Sequence, residues 1–151
     1  MSFLNELINS VSDEELRTQL HERIDIVVHK LKFTEPVPVA CLTINHTPHP
    51  ALDHVVSLAG GEPVNDPLAA KVILYFEHRT GIPALMSAVI AGLQPDWPAV
   101  VYSRIYLLDD AKMLVKEPQD WVACLEDVAE MLHPGYFVFG NEGTGWVNYS
   151  I

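Results

Sequence analysis

Two short apolar runs decide how this chain folds: Val39-Ala40-Cys41-Leu42-Thr43-Ile44 and Lys71-Val72-Ile73-Leu74-Tyr75-Phe76. Neither alternates apolar with polar residues. Each is nearly continuous, as expected of a strand covered on both faces in a parallel sheet. The segments around them have helical period. Before the first run, Leu16, Leu20, Ile24, Val27, Val28 and Leu31 recur at spacings of three and four behind Ser12-Asp13-Glu14-Glu15, which reads as a capping box. These predict an amphipathic helix over 13–32, with Lys30 and Lys32 at its negative carboxyl end, broken by Glu35-Pro36-Val37-Pro38.

Further along, a turn-rich loop over 45–50 leads into a helix over 51–59 that Gly60-Gly61 stops, and Asp66-Pro67 opens no more than a helical turn. After the second run, Gly81-Ile82-Pro83 starts a helix ending at Gly92. Residues 99–108 (AVVYSRIYLL) predict two short strands with a break near Ser103-Arg104. Pro118 opens a helix whose stripe is Val122, Leu125, Val128 and Leu132, ended by His133-Pro134-Gly135. From Phe137 onward the tail reads as a hairpin around Gly140 and Gly143-Thr144-Gly145.

Strands alternating with helices give the fold class: α/β, a three-layer single domain with a mainly parallel sheet flanked by helices and a C-terminal hairpin. The 151 residues fit one domain. Twenty acidic residues against nine basic ones give a net charge of −11, which argues against nucleic acid and anionic membrane as partners. No apolar stretch approaches the roughly 20 residues needed to span a bilayer, so membrane insertion is not expected. The start, MSFLNELINSVSDEEL, has neither the basic region nor the apolar core of a secretory signal, which predicts a cytoplasmic protein. Cys41 and Cys124 sit in apolar surroundings and read as buried, reduced thiols.

In open parallel sheets ligands collect where the loops leave the carboxyl ends of the strands. After the first strand comes Asn45-His46-Thr47-Pro48-His49-Pro50, with Asp53 and His54 just beyond; after the second comes Glu77-His78-Arg79-Thr80. The candidate ligand-binding residues are therefore His46, Thr47, His49, Asp53, His54, Glu77, His78 and Arg79. Imidazoles converging in loops can bind a divalent transition metal, which makes His46, His49, His54 and His78 the candidate metal ligands, although their spacing matches no established ligand pattern. Polar contacts without metal and solvated loop histidines remain open alternatives. No Gly-x-Ser-x-Gly elbow and no phosphate loop is present, and Gly140 to Gly145 reads as a turn. His21, His29 and His133 read as surface groups or caps, and Trp97, Trp121 and Trp146 as packing residues.

The order of motifs resembles the second lobe of class III, helical-backbone periplasmic binding proteins, the receptors that deliver cobalamin and iron–siderophore complexes to ABC importers. The likeness is carried by Pro38 to Leu42 leading to Leu58-Ala59-Gly60-Gly61, by Asp66-Pro67 before a buried strand, by Gln94 to Val100 (QPDWPAV), by Ser103 to Asp109 (SRIYLLD) and by Leu125 to Pro134 (LEDVAEMLHP). It covers roughly residues 15–137 and is closest to the cobalamin type. The resemblance implies that the first lobe is absent, that 13–32 is the remnant of the helix joining two lobes, that 37–137 is the lobe and that 137–151 is a hairpin tail. The sequence departs from the family where a ligand would be read. The loop after the first strand carries His46-Thr47-Pro48-His49-Pro50 with no tryptophan, and Lys116-Glu117-Pro118-Gln119-Asp120 replaces the arginine-rich start of the last helix. The fold carries over, and cobalamin as the ligand does not.

Three functions follow as expectations. The first is a non-enzymatic lobe that holds a small molecule, metal chelate, corrinoid or transition-metal ion at its histidine-bearing edge, with a homodimer supplying the second wall. The second is an interaction or structural domain that has lost the ligand. The third is a metal-dependent hydrolase with Glu77 as general base.

Overall fold

The computed structural model describes residues 2–77, 79–109 and 117–149. The elements are α1 (Ser2–Asn9), α2 (Glu14–Lys30), β1 (Val37–Leu42), α3 (Asp53–Leu58), β2 (Gly61–Pro63), β3 (Val72–Tyr75), α4 (Ile82–Ile90), α5 (Pro98–Val101), β4 (Ile105–Leu108), α6 (Pro118–Leu132) and β5 (Trp146–Tyr149), with single 3-10 turns at Pro50–Leu52 and Pro67–Ala69. The strands form one sheet in the order β2-β1-β3-β4-β5. The first four are mutually parallel and β5 runs antiparallel to β4.

The two apolar runs lie side by side at the centre of that sheet, with Val39 opposite Val72 and Leu42 opposite Tyr75. Their period of two sorts the side chains onto opposite faces. Val39, Cys41, Val72, Leu74, Phe76, Tyr106 and Leu108 pack beneath α1, α2, α3 and α6. Ala40, Leu42, Ile73, Tyr75, Ile105 and Leu107 pack beneath α4 and α5. Every residue of β3 and β4 is buried, which is why their sequences are unbroken apolar runs.

Several local readings are refined by the structure. The cap of α2 is Asp13 rather than Ser12: its carboxylate accepts from the Glu15 and Leu16 amides at 3.0 and 3.2 Å, and a charged acceptor at a helix start is favoured. The helix ends at Lys30, and Val28 faces solvent because Leu20, Ile24, Val27 and Leu31 already fill the core-facing stripe. Residues 99–108 hold one strand, not two. Pro98 starts the helical turn α5, where a fixed φ and a missing N–H are no handicap, and Ala99 is buried beneath it. The chain then reverses at Ser103, whose φ is 56°, to enter β4.

Two elements were not anticipated from the sequence, α1 and β2. Gly61 in β2 lies so close to α3 that a Cβ would stand 2.6 Å from Val56 Cγ1, so only glycine fits. The tail's antiparallel pairing is present, but its partners are β4 and β5, with Leu108 opposite Trp146, and Asn141 to Gly145 forms the turn before β5.

The tail is tied to α6 by two carboxylates. Glu130 accepts from the Phe139 amide at 2.7 Å, and Asp127 accepts from Asn141 Nδ2 at 2.9 Å. His133, read from the sequence as a surface group or a cap, caps the end of α6 and is buried; its Nε2 donates to the Ala59 carbonyl at 3.0 Å and so joins the end of α6 to the end of α3. Cys41 and Cys124 are buried free thiols, each pushed up to about 12 by burial.

Asp127 is only 6% exposed, and burial pushes its carboxyl up to about 6, against the opposing Asn141 hydrogen bond. A carboxyl whose folded pKa lies above its unfolded value favours the folded state most when protonated. Stability is therefore lost as pH rises from about 4 through 6. Asp127→Asn keeps the acceptor for Asn141 and removes the charge. It is expected to raise unfolding free energy by roughly 2 kcal/mol at about pH 8 and to match the parent near pH 4, as measured by urea melts across that range.

Candidate functional site

The chain leaves β1 toward β2 on one side and returns to β3 on the other, so the strand order reverses between β1 and β3. The carboxyl ends of these two strands thus form the switch point of the sheet, the position at which open α/β sheets have their ligand crevice. The loops after β1 and β3 border it, and they are linked. The Ile44 amide donates to Glu77 Oε1 at 3.2 Å. Two of the three non-glycine residues with positive φ among the described residues, His46 at 61° and Arg79 at 60°, lie one in each loop. Such backbone costs of order 1 kcal/mol and recurs at functional sites.

The candidate residues divide into two groups. His46 turns inward. Its Nδ1 is 2.8 Å from the Tyr75 hydroxyl, its ring stands edge-on to Tyr75 and 5.9 Å from Trp97, and a Cβ on Gly92 would fall 1.9 Å from Nε2. Burial lowers its basicity. Thr47 is exposed, with its hydroxyl 2.8 Å from that of Thr43, and its carbonyl accepts from the Thr43 amide at 2.9 Å.

The second group lies on the α3 side. His49 rests on the Phe76 ring, and its Nδ1 accepts from the Ala51 amide at 3.4 Å. Asp53 is half-buried; burial raises its carboxyl, opposed by His54 and His49. His54 is exposed and stacks on Phe3 of α1 at 5.3 Å. His78 lies outside the described residues. Arg79 is exposed at the rim.

The four-histidine metal set does not assemble from what is described. His46, His49 and His54 each face a different aromatic partner. Among the described residues no group of three or more His, Cys, Asp or Glu side chains could hold a metal ion. The Glu77 carboxylate holds the neighbouring loop through Ile44.

Sequence reasoning missed Tyr75, Gly92 and Thr43. Tyr75 looks like one more apolar strand residue, and its place at the last position of β3 was the available signal. Also missed was a groove of about 400 Å³ beside the rim, lined by Phe3, Leu4, His54, Val55, Ser57, Leu58 and Trp121.

No protein-family model and no curated protein matches the chain. Solved structures do share its fold. An ABC transporter substrate-binding protein from Listeria monocytogenes EGD-e superposes with a TM-score of 0.66 at 18% identity, over 87% of this chain and 62% of that one. The TroA-like periplasmic binding protein FepB from Veillonella parvula gives 0.58 at 15%, over 82% and 47%. Helicobacter pylori CeuE, solved as a Ni-His complex, gives 0.60 at 14%, over 89% and 52%. The chain thus spans about half to three fifths of the length of these proteins. Its fold is that of one lobe of a TroA-like binding protein, as the sequence motifs implied.

The same matches overturn the expectation of a cytoplasmic protein, because the proteins that share this fold include periplasmic ones and an ABC transporter substrate-binding protein. That expectation rested on the opening residues alone, which do not tell where the chain acts. No helix among the described residues is long and apolar enough to cross a membrane.

The tie between the two rim loops can be tested directly. Glu77→Ala is expected to lower the melting temperature by a few degrees, equivalent to roughly 1–2 kcal/mol for a hydrogen bond to a charged acceptor. It should also speed hydrogen exchange of the Ile44 amide, whereas Glu77→Gln, which keeps an oxygen in place, should do so much less.

Proposed function

We propose that this chain is a non-enzymatic binding lobe. Its rim between the loops after β1 and β3 receives a small molecule or metal chelate through Thr47, His49, Asp53, His54, His78 and Arg79. The observation that carries this reading is the strand reversal between β1 and β3, with linked, strained loops on either side of the crevice. The fold shared with substrate-binding proteins supports it, and the Ni-His complex of one of them makes a metal chelate a reasonable first probe.

On this reading the guest brings its own metal, as a chelate or corrinoid does, because the described side chains do not form a ligand set. His46 is counted as structural, since both of its nitrogens face protein. A hydrolase is not favoured, because the Glu77 carboxylate already serves the Ile44 amide. A single lobe offers one wall, and a second copy in a symmetric pair would supply the other. The inward His46 also favours a second reading, an interaction domain that no longer holds a ligand.

The two readings separate by thermal melting with cobalamin, a ferric catecholate chelate and zinc ion as probes. A ligand at a hundredfold its dissociation constant stabilises the native state by about 2.7 kcal/mol, or roughly 5–10 °C for a chain of this size. At least one probe is expected to give such a shift. Combining Thr47→Ala with Arg79→Ala should remove it, each melt with probe being compared with the melting point of the same variant without ligand. No shift with any of the three would favour the interaction domain.

A further inference from the structure

We propose that the groove between α1, α3 and the start of α6 is a binding site for a small organic cation with an apolar body, an arylalkyl ammonium ion. It stands whether or not the crevice between β1 and β3 receives a guest. The groove has a volume of about 400 Å³, within the range of roughly 300–1,000 Å³ found for small-molecule sites. Buried Leu4 and Val55 and half-buried Leu58 make its lining apolar. Three rings complete it. Phe3 lies nearly parallel to His54, the planes 21° apart, and almost perpendicular to Trp121, at 81°. Phe3 remains 39% exposed, His54 is exposed and Trp121 is half-buried, so the rings cover one another only in part.

Charge decides what such a groove accepts. Among the described residues that line it there is no Lys, Arg, Asp or Glu. Its polar groups are the His54 imidazole and the Ser57 hydroxyl, three residues apart on α3 and so on one side of that helix. Neither side chain has a hydrogen-bond partner among the described residues. A hydroxyl oxygen and a neutral imidazole nitrogen can each accept from an ammonium group. Aromatic faces attract cations, those of Trp most strongly. Asp53, which precedes His54, interacts with it electrostatically. The whole chain carries a net charge of −11, a field that gathers cations and disfavours anions.

An anion would meet that field with no basic side chain in the groove to offset it. An uncharged ligand would gain burial alone. A cation with an apolar body gains both. Its body rests against Leu4, Val55 and Leu58, while its ammonium stays beside exposed Ser57 and His54, where it keeps part of its water and avoids most of the cost of burying a charge.

The test uses three probes that share a phenylethyl body and differ in charge: phenylethylammonium, phenylethanol and phenylpropanoate. Nuclear magnetic resonance titrations of the full chain at about pH 8, where an ordinary imidazole is neutral, are followed at the Trp121 indole N–H and the Ser57 amide. The ammonium ion is expected to bind with millimolar affinity, about three- to tenfold tighter than the alcohol, and the carboxylate more weakly than either. Equal affinity for the ammonium ion and the alcohol would overturn the cation site and leave an apolar groove. No shift with the ammonium ion up to about 10 mM would overturn the site altogether. Ser57→Lys, at an exposed position, puts a like charge in the groove. It is expected to weaken phenylethylammonium about fivefold or more while leaving the alcohol within about twofold. An unchanged ammonium affinity in this variant would show that the probe binds elsewhere, and would equally overturn the proposal.

Discussion

The three central parallel strands, β1, β3 and β4, are largely buried and must be covered on both faces, and everything else in this molecule depends on that requirement. A parallel pair cannot be closed by a tight turn, so the connections from β1 to β2 and from β3 to β4 cross a face of the sheet and deposit helix there. α3 and α6 cover one face and α4 and α5 the other. Burying each Leu, Ile or Val of β1, β3 and β4 contributes about 1.5–3 kcal/mol relative to exposure. The same arrangement places the switch point: because the chain departs from β1 and β3 in opposite directions, their shared carboxyl end is the position at which open α/β sheets have their ligand crevice.

Polar residues at that end are largely committed to holding the loops in place. Glu77 joins one loop to the other, Thr43 and Thr47 close the first loop on itself, and His46 anchors it to Tyr75. A buried hydroxyl or imidazole without a partner costs about 1–3 kcal/mol. Residues that look chemically rich in a loop are therefore often retained for their own satisfaction. Thr47 and Arg79 are exposed there, and His49 and Asp53 are half-exposed.

The layered architecture was legible because its signal is periodic. Continuous apolar runs at Val39–Leu42 and Val72–Tyr75, and the spacing of Val122, Leu125, Val128 and Leu132, are properties of a face and survive without tertiary knowledge. β2 was not legible, since Gly61-Glu62-Pro63 has no periodicity and becomes a strand only by pairing with Val37 to Val39. α5 was misread because Ala99-Val100-Val101 is β-favouring, while Pro98 and the reversal at Ser103 decide for a turn of helix. At the site, the loops that border the crevice could be named, but not where their rings point. His46 lies far in sequence from Gly92, and only the fold brings the glycine's empty Cβ position against the imidazole. A cluster in sequence thus became three imidazoles with three different partners.

The length relation to the two-lobed proteins sets the energetic question for a single lobe. Pockets that hold small molecules well enclose most of the guest surface, about 70–90%, whereas an open rim touches it from one side. On the proposed reading, either the guest is held modestly, or a second wall is recruited. Two copies of this chain would each bring a net charge of −11, and that repulsion is long-ranged until salt shortens it to about 8 Å at physiological strength. Attraction between copies would therefore have to come from apolar contact or from a shared guest carrying positive charge, since surface ion pairs contribute only about 0–1 kcal/mol each. A cationic metal complex shared by two acidic copies would meet both needs at once, offsetting part of the repulsion while filling the gap. An uncharged guest would leave the repulsion in place, which makes the sign of the guest's charge, more than its size, the property that decides whether one lobe suffices.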